Sequence, residues 1–222
     1  MLYLFHKDSG QTELTLTGDE HRYIFKVRRH RQGESLYLRN LKDNQIYHYL
    51  ISYMDKQSAS LELQKSKELD IKAKKSLHIG WCIIEPKSIE KILPSLNEIG
   101  VEKITFIYCN RSQKSFKLDF ERLEKILLNS SQQSGRSDMM KLDMSEDLEK
   151  FLKDNPNSKM LNFSLNKITK SSDIDTIVIG CEGGFTPDEV AMFDDDNIYG
   201  LDTPLVLKSE SAVFGVGSFL VF

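Results

Sequence analysis

Residues Thr176–Phe193, TIVIGCEGGFTPDEVAMF, constrain the fold more tightly than any other stretch of this chain. Thr176–Ile179 is a short apolar run rich in β-branched residues, the pattern of a buried strand. Gly180-Cys181-Glu182-Gly183-Gly184 follows, a loop whose backbone can approach a ligand or take positive φ without steric cost. Thr186-Pro187-Asp188-Glu189 then supplies N-cap, N1 proline and N3 glutamate, a capping box that starts a helix. Strand, glycine loop and capped helix together build a site at the carboxyl end of a strand, where open α/β sheets bind ligands. Strand-to-helix turns also use glycine for purely structural reasons. The loop is no G-x-G-x-x-G fingerprint and lacks the lysine of a P-loop, so other segments must decide between turn and binding loop.

The chain from Leu77 onward alternates strand and helix patterns. Leu77–Ile84 reads as a buried strand, and Pro86–Ile99 as a helix whose stripe is Ile89, Ile92, Leu93, Leu96 and Ile99. Gly100 is its expected C-cap, and Pro94 is expected to kink it or end its first part. Lys103–Tyr108 is the next strand, Phe116–Ser130 and Ser145–Lys153 are helices, and Met160–Phe163, Ile174–Ile179 and Asn197–Leu201 are further strands. Interleaving of this kind predicts a parallel α/β sheet. Ser209–Phe222 is apolar with Ala212, Gly215 and Gly217, and reads equally as strand or helix. Its small residues permit close packing within or between subunits.

Residues 1 to about 70 are different. Ser35–Arg39, Ile46–Tyr53 and Ser58–Leu63 are short strands separated by turn-prone Lys42-Asp43-Asn44 and Asp55-Lys56-Gln57, which predicts a small barrel or curled sheet. Before them, His21–Gly33 reads as a helix or helical turn, capped by Thr17 or Asp19, with Ile24, Phe25 and Val27 facing inward. It carries Arg22, Lys26, Arg28, Arg29 and Arg31 and no carboxylate, a basic patch suited to phosphate backbones or simply a solvated face. Ser66–Ser76 is charged and poor in large apolar residues, so a linker is expected there, its core at 71–76, between domains at 1–70 and 77–222.

Composition narrows the partners. Thirty basic against 33 acidic residues give a formal charge of -3, so nucleic-acid contact must come from a local face rather than from the whole surface. Cys82, Cys109 and Cys181 lie far apart with no CxxC pair, which predicts neither a zinc site nor a disulfide framework and points to the reduced cytosol. No apolar run approaches a membrane span, and MLYLFHKDSG lacks the regions of a signal peptide.

Three motifs then combine: Ile179–Phe185 followed by Glu189; Tyr199-Gly200-Leu201 with Leu205–Ala212; and Gln132-Gln133-Ser134-Gly135-Arg136. Together they resemble the 16S ribosomal RNA uridine-N3 methyltransferases of the knotted SPOUT superfamily, which carry an IGPEGG loop, an LG-x-x-I-L-R-x-E-T-A stretch and an EQ-x-G-R helix end. The resemblance runs the length of the chain. His21 and Val27-Arg28 match an N-terminal H…VLR element, Lys87, Glu98, Gly100 and Val101 a K…ELGV helix, and Arg111-Ser112 an arginine-containing loop. Cys181 stands where the family has proline, Lys208 and Ser211 where it has arginine and threonine, and Ser95 where lysine is common. Lysine does not reproduce a bidentate arginine contact.

The resemblance implies an N-terminal PUA-like β-barrel domain for RNA and a C-terminal SPOUT α/β domain with a trefoil knot, a rare exception to unthreaded chains. It implies S-adenosylmethionine as methyl donor, 16S rRNA of the small ribosomal subunit as substrate and a homodimer as the active unit, without a metal or a membrane. Gly180, Glu182, Gly183, Gly200, Leu201, Leu205, Leu207 and Lys208 are then the expected cofactor contacts. Arg136 and Glu210 are the expected catalytic residues, and Arg22, Arg28, Arg29, Lys87 and Arg111 the expected RNA contacts. The rival readings are a non-catalytic RNA-binding or ribosome-assembly factor that retains the fold, and a knotted methyltransferase acting on another RNA.

Overall fold

A computed structural model describes residues 2–222 of the chain. In chain order its elements are β1 Leu4–Phe5, β2 Glu13–Thr17, α1 Gly18–His21 continuing as a π-helical turn Arg22–Val27, β3 Ser35–Arg39, β4 Gln45–Met54 and β5 Ser58–Glu68. After these come β6 His78–Cys82, α2 Pro86–Ile99, β7 Lys103–Ile107, α3 Phe120–Ser134, β8 Lys141–Ser145, α4 Leu148–Asp154 and β9 Lys159–Leu161. The chain closes with β10 Thr176–Ile179, α5 Pro187–Val190, β11 Ile198–Tyr199 and α6 Ser209–Val221.

Two compact units emerge. The first holds the chain up to Lys72 together with Ser131–Asp138, and the second holds Ala73–Ser130 and Met139–Phe222. The first is a five-stranded sheet in the order β1-β3-β4-β5-β2, with irregular register along β4 between His48 and Tyr49 and between Ile51 and Tyr53. Such bulges bend a strand and let a sheet curl, as the sequence pattern predicted. Alternation places Leu14, Leu16, Leu36, Leu38, Tyr49, Ile51 and Leu61 in its core.

The returning segment is bound by the N-terminal edge. Gln132 accepts hydrogen bonds on its backbone oxygen from the Leu2 and Tyr3 N–H groups and on Oε1 from Phe5 N–H. Tyr3 Oη donates to the Arg136 carbonyl at 2.8 Å, and Ser137 Oγ donates to Leu69 O. Arg39 is buried and, among the described residues, has no carboxylate at ion-pair distance. Its Nη2 donates to Leu69 O at 2.8 Å and its guanidinium carbon lies 5.3 Å from the Tyr3 ring centroid. Burial pulls the Arg39 pKa down, and burial pushes the Tyr3 phenol up.

The second unit is a six-stranded parallel sheet ordered β11-β9-β10-β6-β7-β8. Helix α2 buries Ile89, Leu93 and Leu96, and Gly100 closes it at φ 99°. Helix α6 buries Ala212, Val213, Val216, Gly217, Leu220 and Val221. Gly217 permits the approach to α2, because a Cβ there would lie 3.2 Å from Ile99 Cδ1. Among the described residues, no helix is long and apolar enough to cross a membrane.

Several expectations change. Of the two expectations for Pro94, an end to the helix is not met, since α2 runs on to Ile99 with Leu93 and Leu96 fully buried on either side of it. Helix α3 begins at Phe120 rather than Phe116, where Asp119 Oδ1 accepts from Arg122 N–H as a cap. The basic helix ends at Val27, which is 60% exposed instead of facing inward, and Arg29 follows in the left-handed region at φ 62°. Strand β5 continues to Glu68, into the stretch expected as linker, because β4 pairs it that far. The largest correction concerns cysteine: Cys82 and Cys109 form a disulfide. They are 27 residues apart in sequence, but parallel β6 and β7 put Cys82 opposite Ile107, two residues from Cys109.

His78, at the start of β6, shares a 2.8 Å hydrogen bond with Thr105 Oγ1 and meets Phe151 edge-on. Burial, and secondarily the Lys103 charge, lowers its pKa to about 4. A depressed histidine pKa means that the folded state binds fewer protons than the unfolded chain. Its contribution is therefore complete above the unfolded value near 6.5 and is lost as pH falls towards 4. Unfolding free energies of the wild type and His78→Gln, measured by urea titration from pH 7 to 4.5, should diverge. The wild type should lose up to about 1.4 kcal/mol per pH unit relative to the variant; parallel curves would remove His78 as the cause.

Candidate active site

Strand β10 ends at Ile179, and the chain leaves the sheet through the glycine loop. Gly184 N–H closes a turn on Cys181 O at 2.9 Å, with Gly184 at φ 66°. Thr186 then caps α5 with the full reciprocal box: Glu189 N–H donates to Thr186 Oγ1, and Thr186 N–H donates to Glu189 Oε2. Glu189 is buried, and its Oε1 accepts from Asn110 N–H at 2.7 Å. Arg111 Nη1 donates to Gly183 O at 2.5 Å. The segment after β7 therefore grips the glycine loop and the start of α5 together.

The other side of the loop is held from α6. Ser209 Oγ donates to Gly180 O at 2.5 Å and accepts from the Trp81 indole N–H at 2.8 Å. Trp81 is fully buried on β6, so the first residue of α6 is fastened both to the sheet and to the loop.

A third strand end completes the frame. Gly200 follows β11 and bridges to Lys167: its N–H donates to Asn166 O at 2.8 Å, and its carbonyl accepts from Ile168 N–H at 2.9 Å. A Cβ on Gly200 would lie 2.5 Å from Ser164 O and 3.0 Å from Ser164 N. That gap is backbone against backbone, so only glycine fits.

These segments enclose a cavity of about 750 Å³, within the usual size range of small-molecule sites. All eight expected cofactor contacts line it: Gly180, Glu182, Gly183, Gly200, Leu201, Leu205, Leu207 and Lys208. Cys181 also lines it, buried, with Sγ 3.8 Å from Gly184 O. Leu205 and Leu207 are 70% and 39% exposed, so they form a rim open to solvent rather than closed core walls. The expected catalytic pair is not among the lining residues. Glu210 lies in the first turn of α6, half-buried, beside lining Ser209. Arg136 belongs to the segment counted with the first unit, and its Nε donates to Asp138 Oδ1 at 2.6 Å.

The expected RNA contacts do not form one group. Arg22, Arg28 and Arg29 are exposed on the first unit, where Arg28 donates twice to Tyr23 Oη and lies over its ring. Lys87 is exposed in the first turn of α2, and Arg111 serves the glycine loop. Sequence reasoning passed over Lys167, Phe163 and Leu165 on the loop after β9, which all line the cavity. Nothing in their local pattern marks them, because they arrive through sheet order. Ser209 sat inside a quoted motif, but its partner Trp81 is 128 residues away in sequence.

The RNA methyltransferase domain family matches residues 48–220, and the RNA methyltransferase PUA domain family matches residues 16–64. A ribosomal RNA small subunit methyltransferase E from Helicobacter pylori is 36% identical over 222 residues, covering 98% of each chain. The chain belongs to this RNA methyltransferase family. A namesake from Rickettsia conorii is 25% identical over 202 residues, covering 86% of this chain and 81% of its own. Among solved structures, ribosomal RNA small subunit methyltransferase E from Neisseria gonorrhoeae bound to S-adenosyl methionine matches with a TM-score of 0.81 and 17% identity, covering 98% of this chain and 95% of that one. A Legionella pneumophila protein in complex with bound cofactor SAM matches with a TM-score of 0.82 and 22% identity over the same shares. At those identities the structures establish the shared fold, an α/β unit with a PUA-like companion.

Replacing Ser209 with alanine strands the buried Trp81 N–H and frees the Gly180 carbonyl. Ser209→Ala should lower the unfolding free energy by about 1–3 kcal/mol in urea denaturation. A loss below about 0.5 kcal/mol would mean that the hydroxyl is not the junction described.

Proposed function

We propose that this protein transfers a methyl group from S-adenosylmethionine to N3 of one uridine in 16S rRNA of the small ribosomal subunit. The observation that carries the reading is the convergence of Gly180–Gly184 and Gly200–Ser209 on one cavity, in a chain 36% identical over 98% of its length to a relative named as a ribosomal RNA small subunit methyltransferase. The cavity suits the donor on its own evidence. Gly200 lines the cavity where its chain packs against the Ser164 backbone, and Leu201, Leu205 and Leu207 offer apolar surface to adenine. Glu182 is exposed at the same cavity and is suited to ribose hydroxyls.

When bound, the cofactor supplies a sulfonium methyl that is already electrophilic. The protein's task is alignment and exclusion of water. Arg111 and Ser209 hold the two ends of the glycine loop, which fixes the approach direction. Uracil N3 becomes nucleophilic once its proton leaves, and Glu210, next to lining Ser209, is the carboxylate proposed to receive it directly or through water. Arg136, paired with Asp138, is proposed to steady uracil's developing negative charge or to clamp the RNA.

Arg22, Arg28 and Arg29 are proposed to take phosphates of the substrate. So are Lys87 and the remaining donors of Arg111. Two copies are proposed to pair through α6, which exposes Phe214 and Phe219, with exposed Phe222 just past its end. The chain through the sheet is proposed to thread as the trefoil knot, and the cytoplasm is proposed as the place of action.

Titration calorimetry with S-adenosylmethionine should give one site per chain. Gly183→Val should abolish that heat while the protein still unfolds cooperatively on heating, since a Cβ there would meet Arg111 Cβ and Cδ at 3.3 Å, a contact relieved by a shift of a few tenths of an ångström. Mapping of 16S rRNA modifications in cells with and without the gene should show one 3-methyluridine lost. An unchanged modification map would refute the substrate.

A further inference from the structure

Lys167 is a cation inside the cavity with no hydrogen-bond or ion-pair partner among the described residues. Its backbone is pinned: Asn166 O accepts from Gly200 N–H, Ile168 N–H donates to Gly200 O, and the Ile168 side chain is buried in the core. Its Nζ lies 3.3 Å from the point where a Gly200 Cβ would sit, so the ammonium rests against the glycine that shapes the cavity floor. The residue is half-buried, whereas the other lining cation, Lys208, is exposed. The lining carboxylate, Glu182, is also exposed and makes no ion pair with Lys167. A partly desolvated ammonium gains most from an anion delivered into the cavity.

We infer that Lys167 is the residue that recognises the carboxylate of the cofactor's methionyl moiety, and so selects an aminoacyl-bearing adenosine over adenosines that lack the amino acid. This assignment rests on the methyl-donor reading above. Of the cofactor's groups only that carboxylate carries negative charge, while its α-ammonium and sulfonium are positive. A lysine would repel the positive groups unless the carboxylate sits nearest to it. An RNA phosphate is the competing anion, and exposed Lys208 at the rim is better placed for a backbone that arrives from outside. Because the carboxylate is present before and after transfer, Lys167 should act on donor and demethylated product alike, setting affinity rather than the rate of the methyl step.

The test compares two probes in calorimetry: S-adenosylhomocysteine, which has the carboxylate, and 5′-methylthioadenosine, which lacks the whole amino acid. Wild-type protein should prefer the first by about tenfold or more. Lys167→Met keeps the side-chain length without the charge. It should lose about tenfold or more of its affinity for S-adenosylhomocysteine, hold methylthioadenosine within about twofold, and melt at the wild-type temperature. Lys167→Arg should recover most of the lost affinity. Equal losses for both probes, or no loss for either, overturn the assignment while leaving the methyl-donor reading standing. A variant that binds both probes normally but loses affinity for an rRNA fragment assigns the lysine to phosphate and overturns it as well. Failure of the wild type to bind either probe sinks the methyl-donor reading itself, and the assignment with it.

Discussion

The second unit depends on one hydroxyl. Ser209 Oγ joins the central strand β6, through Trp81, to the loop that leaves β10, through Gly180, and it does so from the first residue of α6. Both of its partners are polar groups in a region where Trp81 is fully buried and Ser209 is 5% exposed. Unsatisfied buried groups of this kind cost about 1–3 kcal/mol each, so the three segments are held together by an avoided penalty more than by intrinsic attraction. The segment between Gly200 and Ser209 is itself exposed from Asp202 to Lys208. Its shape is therefore set at its ends, by the Gly200 bridge and by Ser209, rather than by its own packing.

The same economy governs the opposite side of the glycine loop. Glu189 completes the capping box of a helix only four residues long and also receives the Asn110 N–H, while Arg111 reaches Gly183 O. A loop held at both Gly180 and Gly183 has little conformational entropy left to lose on binding, which is the physical content of preorganisation. In the first unit, Tyr3, Arg39 and Gln132 play the corresponding part. Arg39 keeps its charge in a buried place because carbonyl oxygens and the Tyr3 ring replace water, and those carbonyls belong to the segments it must bring together.

Legibility in the sequence followed the range of the interaction. Helix α2, the capping box at Thr186 and the glycine loop were readable because each is decided within a few residues. Strands β1 and β8 were not, since two residues at an edge and the mixed KLDMS carry no periodic signal, and pairing alone defines them. The end of α6 left helix and strand open because its residues are apolar on nearly every side; its packing on α2 through Gly217 decides. The eight residues expected as cofactor contacts all line one cavity, and they were singled out through resemblance of motifs, not through periodicity. Lys167 and the Cys82–Cys109 disulfide were missed for one reason: both depend on which strands are neighbours, and parallel crossovers erase sequence distance as a guide.

That contrast bears on how a site of this kind is recognised at all. Active sites that move protons advertise themselves through strongly perturbed titratable groups. Here the large shifts fall on Tyr3 and His78, which are packed against their own cores and do not line the cavity. The proposed donor brings its own electrophile, so the protein has no need of a strongly activated side chain beside it. What the cavity offers is a tight Gly200–Ser164 backbone contact, a loop fixed at both ends, and apolar rims that shed water. Glycines and apolar side chains therefore make up most of the cavity lining, while the charged groups proposed for the chemistry, Glu210 and Arg136, stand outside it.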